Sequence, residues 1–274
     1  MCPQIKKRLD QRVVEEGLAP SRTKAQAYIM AGQISVNGVK ATKPGTPVEI
    51  NATITMQGIK SPYVSRGGLK LEHALKEFNI NPDGKTALDC GASTGGFTDC
   101  LLKHGAIKIY AIDVGYGQII QELRQDNRVV VIERCNIRYL NRSIIKDTID
   151  LITLDLSFIS LEKVWPALIP LTQEDTQIIA LVKPQFEAGH KEVKRGGKVT
   201  NMEVHKKVLE TVINKAQKYG LYTNNITYSP IPGPAGNIEF FILLSLKPTS
   251  SFDNINATIS LVVVTAHNTL NKSK

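Results

Sequence analysis

The sequence predicts an α/β fold with a mostly parallel seven-stranded sheet, preceded by a small α+β domain. From residue 86 onward, short apolar runs of strand length alternate with longer segments of helical periodicity. Such alternation is typical of a parallel sheet with helices on both faces. Before it, residues 1–60 carry nine basic and four acidic residues, so this fifth of the 274-residue chain holds +5 of its net charge of +9. The shift in composition indicates two domains.

Residues 1–60 are expected to form two helices followed by a small sheet. Ile5, Leu9 and Val13 recur every four residues, which predicts the first helix. Ser21 suits the N-cap of a second helix, which Gly32 can end in a left-handed conformation. The Asn-Gly turn of "ISVNGVK" then joins two strands, and "VEI" and "ATITM" indicate further short strands.

A linker at 61–66 and a second domain at 67–248 are predicted next, because "QGIKSPYVSRGG" is rich in Gly, Ser and Pro. A long helix near 201–219 is expected to open with Thr200 and Glu203 as a capping box. Residues 249–274, rich in Ser, Thr and Asn, are expected to form a poorly packed tail with one candidate strand. Strands of the sheet are predicted at about 86–90, 107–113, 128–132, 149–155, 177–183, 222–228 and 237–246.

Composition narrows the classes of partner and location. The basic balance favours nucleic acid over a membrane surface as the partner. The N-terminal segment has no apolar signal region, and no apolar run approaches the roughly 20 residues of a membrane helix. The four cysteines form no C-x-x-C pair and lie beside no histidine at metal-ligand spacing. We therefore expect a cytoplasmic protein with reduced thiols and no metal site.

The stretch "TALDCGASTGGFTDC" places a glycine-rich turn after a predicted strand, which is where such folds bind ligands. A dinucleotide fingerprint requires glycine where Ser93 stands, and a P-loop requires a Lys-Ser/Thr pair that is absent. S-adenosylmethionine fits better. Asp89 could take its amine, the backbone of the turn its carboxylate, and Asp113, at the end of the next strand, its ribose hydroxyls.

Two lysines and two carboxylates are predicted to meet at the same edge of the sheet. Asp155 and Lys183 end strands, Glu239 begins a strand that must run antiparallel to reach this edge, and Lys70 lies on the preceding helix. This set suits methylation of a ribose 2′-hydroxyl, a weak nucleophile that loses its proton as it attacks. Lys183 could act as the base when neutral, or stabilise the developing alkoxide when charged.

Several motifs together resemble the TlyA family of haemolysin-A-like ribosomal RNA 2′-O-methyltransferases. They are "VSRGGLKL", "ALDCGASTGGFTD", "LDLSFISL", "LVKPQFEAG" and "GPAGNIEF", and "RLDQRVVEEGLAPSRTKAQAYIMAGQISVNG" is similar to the alpha-L RNA-binding domain of a small-subunit ribosomal protein. The resemblance implies a Rossmann-like class I methyltransferase domain of the FtsJ type, S-adenosylmethionine as cofactor and cytidine in ribosomal RNA as substrate. It implies a catalytic tetrad of Lys70, Asp155, Lys183 and Glu239. The predicted cofactor residues are Asp89, Gly91, Ala92, Ser93, Thr94, Gly95, Gly96, Phe97, Asp113, Asn136 and Asp155.

Basic residues outside the tetrad are predicted to contact RNA of the ribosomal subunits. In the loop "EAGHKEVKRGGKV", lysines and an arginine among glycines suit a mobile lid over phosphates. The full predicted set is Lys7, Arg8, Arg22, Lys24, Arg66, Lys191, Lys194, Arg195 and Lys198.

Three other functions are weighed against this one. A base methyltransferase acting on amino groups usually carries an Asp/Asn-Pro-Pro-aromatic loop, whereas "DLSF" has Phe158 but no proline. Carbon-5 methylation needs a cysteine near the fourth or fifth strand, and every cysteine lies earlier. A haemolysin would need a membrane-active segment, and a non-catalytic RNA-binding factor would not need the tetrad.

Overall fold

The computed structural model describes residues 6–19, 21–56, 62–233, 235–248 and 254–271. The chain divides into two compact units, Met1–Lys60 and Ser61–Lys274. The predicted helix start at Ile5 and the first part of the predicted linker stretch, "QGIKS", lie outside the described residues.

The first unit packs two helices against short strands around Leu9, Val13, Ala25, Ile29 and Ile34. Its elements are β1 (Lys6–Arg8), α1 (Leu9–Glu15), α2 (Arg22–Met30), β2 (Ile34–Val36), β3 (Val39–Ala41), β4 (Pro47–Glu49) and β5 (Ile54–Met56). β1 pairs with β4, and β3, β2 and β5 form a three-stranded antiparallel sheet.

Local signals in this unit act largely as predicted. The Ser21 hydroxyl accepts the Lys24 N–H at 3.3 Å and caps α2, and Gly32 follows that helix with φ +68°. Asn37 and Gly38, both with positive φ, turn β2 into β3. The prediction of a helix running through residues 5–8 is wrong where the structure describes it, because Lys6–Arg8 pairs with β4 as a strand and α1 begins only at Leu9.

The second unit contains the predicted seven-stranded sheet, in the order β11-β12-β10-β9-β6-β7-β8. β12 runs antiparallel to both of its neighbours, and the other pairings are parallel. The strands are β6 (Thr86–Cys90), β7 (Lys108–Ile112), β8 (Val129–Ile132), β9 (Leu151–Leu154), β10 (Gln177–Val182), β11 (Tyr222–Tyr228) and β12 (Phe240–Ser245).

Helices cover both faces of this sheet. One face packs against α3, α4 and α5, and the other against α6, α8 and α9. Their bounds are α3 (Arg66–Glu77), α4 (Gly96–Lys103), α5 (Gln121–Arg124), α6 (Trp165–Leu168), α7 (Pro184–Glu187), α8 (Met202–Lys218) and α9 (Ile255–Asn271). Because the strand residues alternate between the two faces, each face contributes to an apolar layer, and the candidate polar site residues lie at the strand ends.

Two local expectations are wrong. The N-cap of α8 is Asn201, whose side chain accepts the Glu203 N–H at 2.8 Å, and not Thr200. The described part of the tail is no poorly packed strand but helix α9, which buries Ile259, Val263 and Ala266 in the core shared with α8. Within the described part of the predicted linker, Tyr63 is buried and its hydroxyl donates to Glu72 at 2.8 Å.

Candidate active site

A cavity of about 590 Å³ opens at the carboxyl ends of the parallel strands. Its wall is formed by the turn after β6 and the loops after β7, β8 and β9. Among the predicted residues, the wall includes Gly91, Ser93, Asp113, Asn136 and Asp155. Carboxyl ends of parallel strands are the usual ligand position in open α/β sheets.

The turn after β6 lies directly against the end of β9. A Cβ on Gly91, where φ is +87°, would lie 2.5 Å from the backbone oxygen of Asp155, so only glycine fits this position. Ser93 has φ +49°, and its N–H donates to Asp113 Oδ2 at 2.8 Å. The Gly115 N–H donates to the other oxygen of Asp113 at 2.7 Å. These two bonds fix the carboxylate and leave lone pairs on both of its oxygens.

Asp89 lies behind the turn and is absent from the cavity wall. It is fully buried, and it accepts the hydroxyls of Thr98 at 2.6 Å and Thr153 at 2.9 Å. Burial raises the pKa of its carboxyl to about 6, while the two hydroxyl bonds act in the opposite direction. Through these hydrogen bonds Asp89, which lies on β6, connects that strand to α4 and β9. The other predicted cofactor residues of the turn that do not line the cavity are Ala92, Thr94, Gly95, Gly96 and Phe97.

The four predicted catalytic residues form two ion pairs. Lys70 Nζ lies 2.5 Å from Glu239 Oε2, and both side chains are buried. Lys183 Nζ lies 2.6 Å from Asp155 Oδ1 and donates to the Ser157 hydroxyl at 3.0 Å. Each lysine is therefore held by a carboxylate, which fixes where its ammonium can point.

Strand register brings these pairs to one edge of the sheet. β12 is antiparallel to β10 with Val182 opposite Phe240, so the next residues, Lys183 and Glu239, are neighbours across the two strands. The predicted condition, an antiparallel last strand, is met. β10 is parallel to β9, which ends one residue before Asp155, and Asp155 lines the cavity.

Phe158 is a candidate substrate contact that the sequence argument left aside. Its ring is 90% exposed although it lines the cavity, its φ is +62°, and it lies 5.0 Å from the Phe186 ring, centroid to centroid. A positive φ on an aromatic residue is strained, and strained positions cluster at functional sites. An aromatic residue three positions after Asp155 was the available signal. Gln118, Arg138 and Lys163 also line the cavity and were not predicted.

In the first unit, two of the predicted RNA contacts share one buried carboxylate. Arg8 Nη2 lies 2.9 Å and Arg22 Nε 3.1 Å from Asp10 Oδ2, and Gln26 donates to the same oxygen. These bonds hold the pKa of Asp10 well below its usual range, chiefly through Arg8. Both guanidiniums stay about half exposed. Lys7 pairs with Glu15 at 2.8 Å, and Lys24 is exposed.

In the second unit, the basic loop is a closed hairpin. The Lys194 N–H donates to the Lys198 carbonyl at 2.8 Å, and the side chains of Lys191, Lys194, Arg195 and Lys198 are exposed. Buried Asn237 anchors its base by accepting the Val199 N–H at 2.9 Å and donating to the Gly197 carbonyl at 2.8 Å. The predicted mobile lid is thus tied at its base to the segment that carries Glu239. Arg66 donates to the Pro232 carbonyl at 3.1 Å.

Within the described ranges, no cluster of three or more His, Cys, Asp or Glu side chains could hold a metal ion. Cys90, Cys100 and Cys135 are free thiols outside the cavity wall. No helix in the described part of the chain is long and apolar enough to cross a membrane.

Comparison with known families assigns both units. The family model for FtsJ-like methyltransferases matches residues 63–246, which is two thirds of the chain. The chain belongs to the FtsJ-like methyltransferase family. The model for the S4 domain matches residues 7–54, within the first unit. Helix α9 lies beyond the FtsJ-like match.

Relatives of this FtsJ-like methyltransferase match most of its length. It is 44% identical over 272 residues to YqxC of Bacillus subtilis (strain 168), covering 98% of this chain and 97% of that protein. It is 44% identical over 238 residues to the 16S/23S rRNA (cytidine-2′-O)-methyltransferase TlyA of Mycobacterium tuberculosis (strain ATCC 25618 / H37Rv), covering 86% and 89%. A solved structure from Streptococcus thermophilus, 40% identical, has a TM-score of 0.79 and covers 99% of both chains.

Proposed function

We propose that this protein transfers the methyl group of S-adenosylmethionine to the 2′-hydroxyl of a cytidine ribose in ribosomal RNA. One observation carries the proposal: the Lys183–Asp155 and Lys70–Glu239 pairs stand at the strand edge that also bears the cavity. Identity to a cytidine-2′-O-methyltransferase supports the choice of nucleotide. The protein would act in the cytoplasm on ribosomal subunits, using the S4 domain as an additional RNA contact.

The cavity residues fit S-adenosylmethionine. Asp113 keeps acceptor positions on both oxygens, which suits a pair of ribose hydroxyls. Ser93 and Asn136 add polar groups to a wall that also contains apolar Val114, Ile137 and Leu156, as an adenine requires. When bound, the cofactor supplies an electrophilic methyl on a positively charged sulfur.

The protein's own residues would handle the proton and charge of the reaction. As the ribose oxygen forms its bond to the methyl carbon, the carbon–sulfur bond breaks and the hydroxyl proton must leave. Lys183 either takes that proton or stabilises the oxygen while solvent takes it. Asp155 and Ser157 orient the ammonium of Lys183, and Lys70 is held by Glu239 for the ribose or a neighbouring phosphate. Exposed Phe158 offers a ring on which the target base can stack.

Chemistry on a base fits this site less well. The cavity wall contains no cysteine, so the covalent route to carbon-5 of cytosine has no nucleophile among the described residues. The loop after β9 carries Phe158 without the paired prolines of amino-group methyltransferases.

The test is the identity of the methylated nucleoside. Purified protein is incubated with labelled S-adenosylmethionine and, separately, small and large ribosomal subunits, and the RNA is digested to nucleosides. We expect label in 2′-O-methylcytidine, and in a dinucleotide that resists alkali, because the methyl group blocks attack by the 2′-oxygen. Label in a methylated base, or none with either subunit, would reject the proposal.

A further inference from the structure

The loops after β9 and β10 run side by side and are joined at three levels. At the site, Lys183 binds Asp155 and Ser157. Further out, the Phe186 ring lies against the Phe158 ring. Beyond the rings, Glu187 contacts the far end of the first loop. Of these three contacts, only the one made by Lys183 involves residues of the predicted catalytic tetrad.

Glu187 makes the outermost contact with both of its carboxylate oxygens. Oε2 accepts the Ser160 hydroxyl at 2.7 Å, and Oε1 accepts the Leu161 N–H at 2.7 Å. Ser160 precedes the 3₁₀ turn Leu161–Lys163, so this carboxylate satisfies a free N–H at the start of that turn. Burial raises the pKa of Glu187, and the same two bonds lower it. A partly buried carboxylate with both oxygens engaged still carries a desolvation cost and fixes geometry well.

The strained residue of the loop, Phe158, lies between the two ends that these bonds fix. Phe158 has φ +62° and a ring that is 90% exposed, so little packing of its own holds it there. A left-handed aromatic residue is strained and persists only where the surroundings enforce it. Asp155, tied to Lys183, fixes the chain before Phe158, and Glu187 fixes it two residues later.

We propose that Glu187 is a positioning residue for methyl transfer. It holds the segment 155–161 in register with Lys183, so that Asp155 orients the lysine and Phe158 stays at the mouth of the cavity. The inference rests on the proposed function for its readout. It assigns Glu187 no contact with cofactor or RNA.

The test compares Glu187→Ala with a conservative and a matched control variant. Glu187→Gln keeps an acceptor for the Leu161 N–H, and its amide can donate to the Ser160 oxygen, so the tie survives without charge. Glu162→Ala is the matched control, because it removes a carboxylate from the turn Leu161–Lys163 that makes neither of these bonds. The Glu162 carboxylate pairs instead with Lys215, at 2.5 Å. Methyl transfer to total ribosomal RNA, kcat and KM for RNA, cofactor Kd and unfolding temperature are measured for each.

We expect Glu187→Ala to lower kcat/KM for RNA by about 10–100-fold, because displacements near 1 Å can cost that much. Its cofactor Kd should change much less than its kcat/KM, because most of the cavity wall comes from other loops, and Gln should restore most of the activity, since only the hydrogen bonds are needed. Hydrogen exchange should rise in segment 156–161 of the Ala variant. Adding Ser160→Ala to Glu187→Ala should cost much less than the product of the two single effects.

Several results would overturn the inference. Glu187→Ala could match Glu162→Ala in activity, or Gln could behave like Ala. A fall in cofactor affinity and unfolding temperature in step with activity would show a merely structural role. If Glu187→Ala does not fold, Ser160→Ala carries the test, and unchanged kcat/KM there rejects the inference. No methyl transfer by the wild-type protein would reject the proposed function itself.

Discussion

Asp89 shows how a buried carboxyl shapes the site without lining the cavity. Its two oxygens join Thr98 on α4 and Thr153 on β9 beneath the glycine turn. Sequence reasoning correctly placed an acid at the end of β6, but it could not show which way the side chain points. Hydroxyl donors nine and 64 residues away compete with a ligand for the same oxygens, and that competition depends on packing.

Asp89 also makes stability depend on pH. Its folded pKa, about 6, lies above the ordinary 3.8, so its contribution is present below pH about 4 and is lost as pH rises through 6. Asp89→Asn has no charge to bury. We therefore expect the variant's unfolding free energy, relative to wild type, to be higher at pH 8 than at pH 5 by roughly 1–2 kcal/mol.

Denaturant unfolding at the two pH values measures this difference. Asp175→Asn is the control, because the Asp175 side chain is 95% exposed. If the difference in unfolding free energy between Asp89→Asn and wild type is the same at pH 5 and pH 8, ionisation of the Asp89 carboxyl does not destabilise the folded protein, and the prediction is wrong.

At the scale of elements, the hydrophobic pattern of the sequence predicted the sheet, but it failed where tertiary packing selects the secondary structure. All seven strands were found because apolar runs at strand spacing depend only on local sequence. Helix α9 was missed because "ISLVVV" is rich in β-branched residues and exposed Leu261 and Val264 mask its helical stripe. Burial of Ile259 and Val263 against the core shared with α8 selects the helix. The sequence predicted which two lysines and two carboxylates meet, because strand ends share an edge. It did not predict which lysine pairs with which carboxylate.

The basic hairpin at 194–198 yields a prediction about RNA affinity. Arg195 and Lys198 are exposed, and we expect them to neutralise phosphates, so Arg195→Gln with Lys198→Gln should weaken RNA binding. The slope of log K against log salt should fall by about 1–2, since each lost phosphate contact removes about 0.7–0.9. Filter binding over a salt series measures both quantities.

A matched pair on α8 controls for the loss of net charge. Lys207 and Lys218 lie on that helix, and the double variant Lys207→Gln with Lys218→Gln removes the same two charges. If both double variants lose the same affinity and slope, the hairpin has no particular role and only overall charge matters.

At the scale of the whole molecule, positive charge and chemistry are divided between two compact units. Residues 1–60 hold more than half of the net charge and match the S4 domain, whereas the cavity and both ion pairs lie in Ser61–Lys274. This division follows from composition and was visible in the sequence.

Removal of residues 1–60 should therefore separate affinity from cofactor binding. We expect the truncated protein to bind S-adenosylmethionine with a Kd within about threefold of the intact chain, because the cavity is untouched. Salt-dependent RNA binding should fall by at least about tenfold, as phosphate contacts are lost. Calorimetry measures the affinity for the cofactor, and filter binding measures the affinity for RNA. Unchanged methylation efficiency in the truncated protein would contradict a role for the S4 domain.

The central claim, that the ion pairs at the sheet edge act on the ribose hydroxyl, is tested most directly at Lys183. Single-turnover transfer is measured with cofactor and RNA already bound, for wild type, Lys183→Ala and Lys183→Arg. We expect the Ala variant to bind both ligands nearly normally and to transfer methyl roughly 10²–10⁴ times more slowly. Arginine keeps the charge but cannot release its proton. Substantial rescue by Arg would therefore identify Lys183 as a stabiliser of charge, and none would favour a base. A wild-type rate in Lys183→Ala would contradict the account.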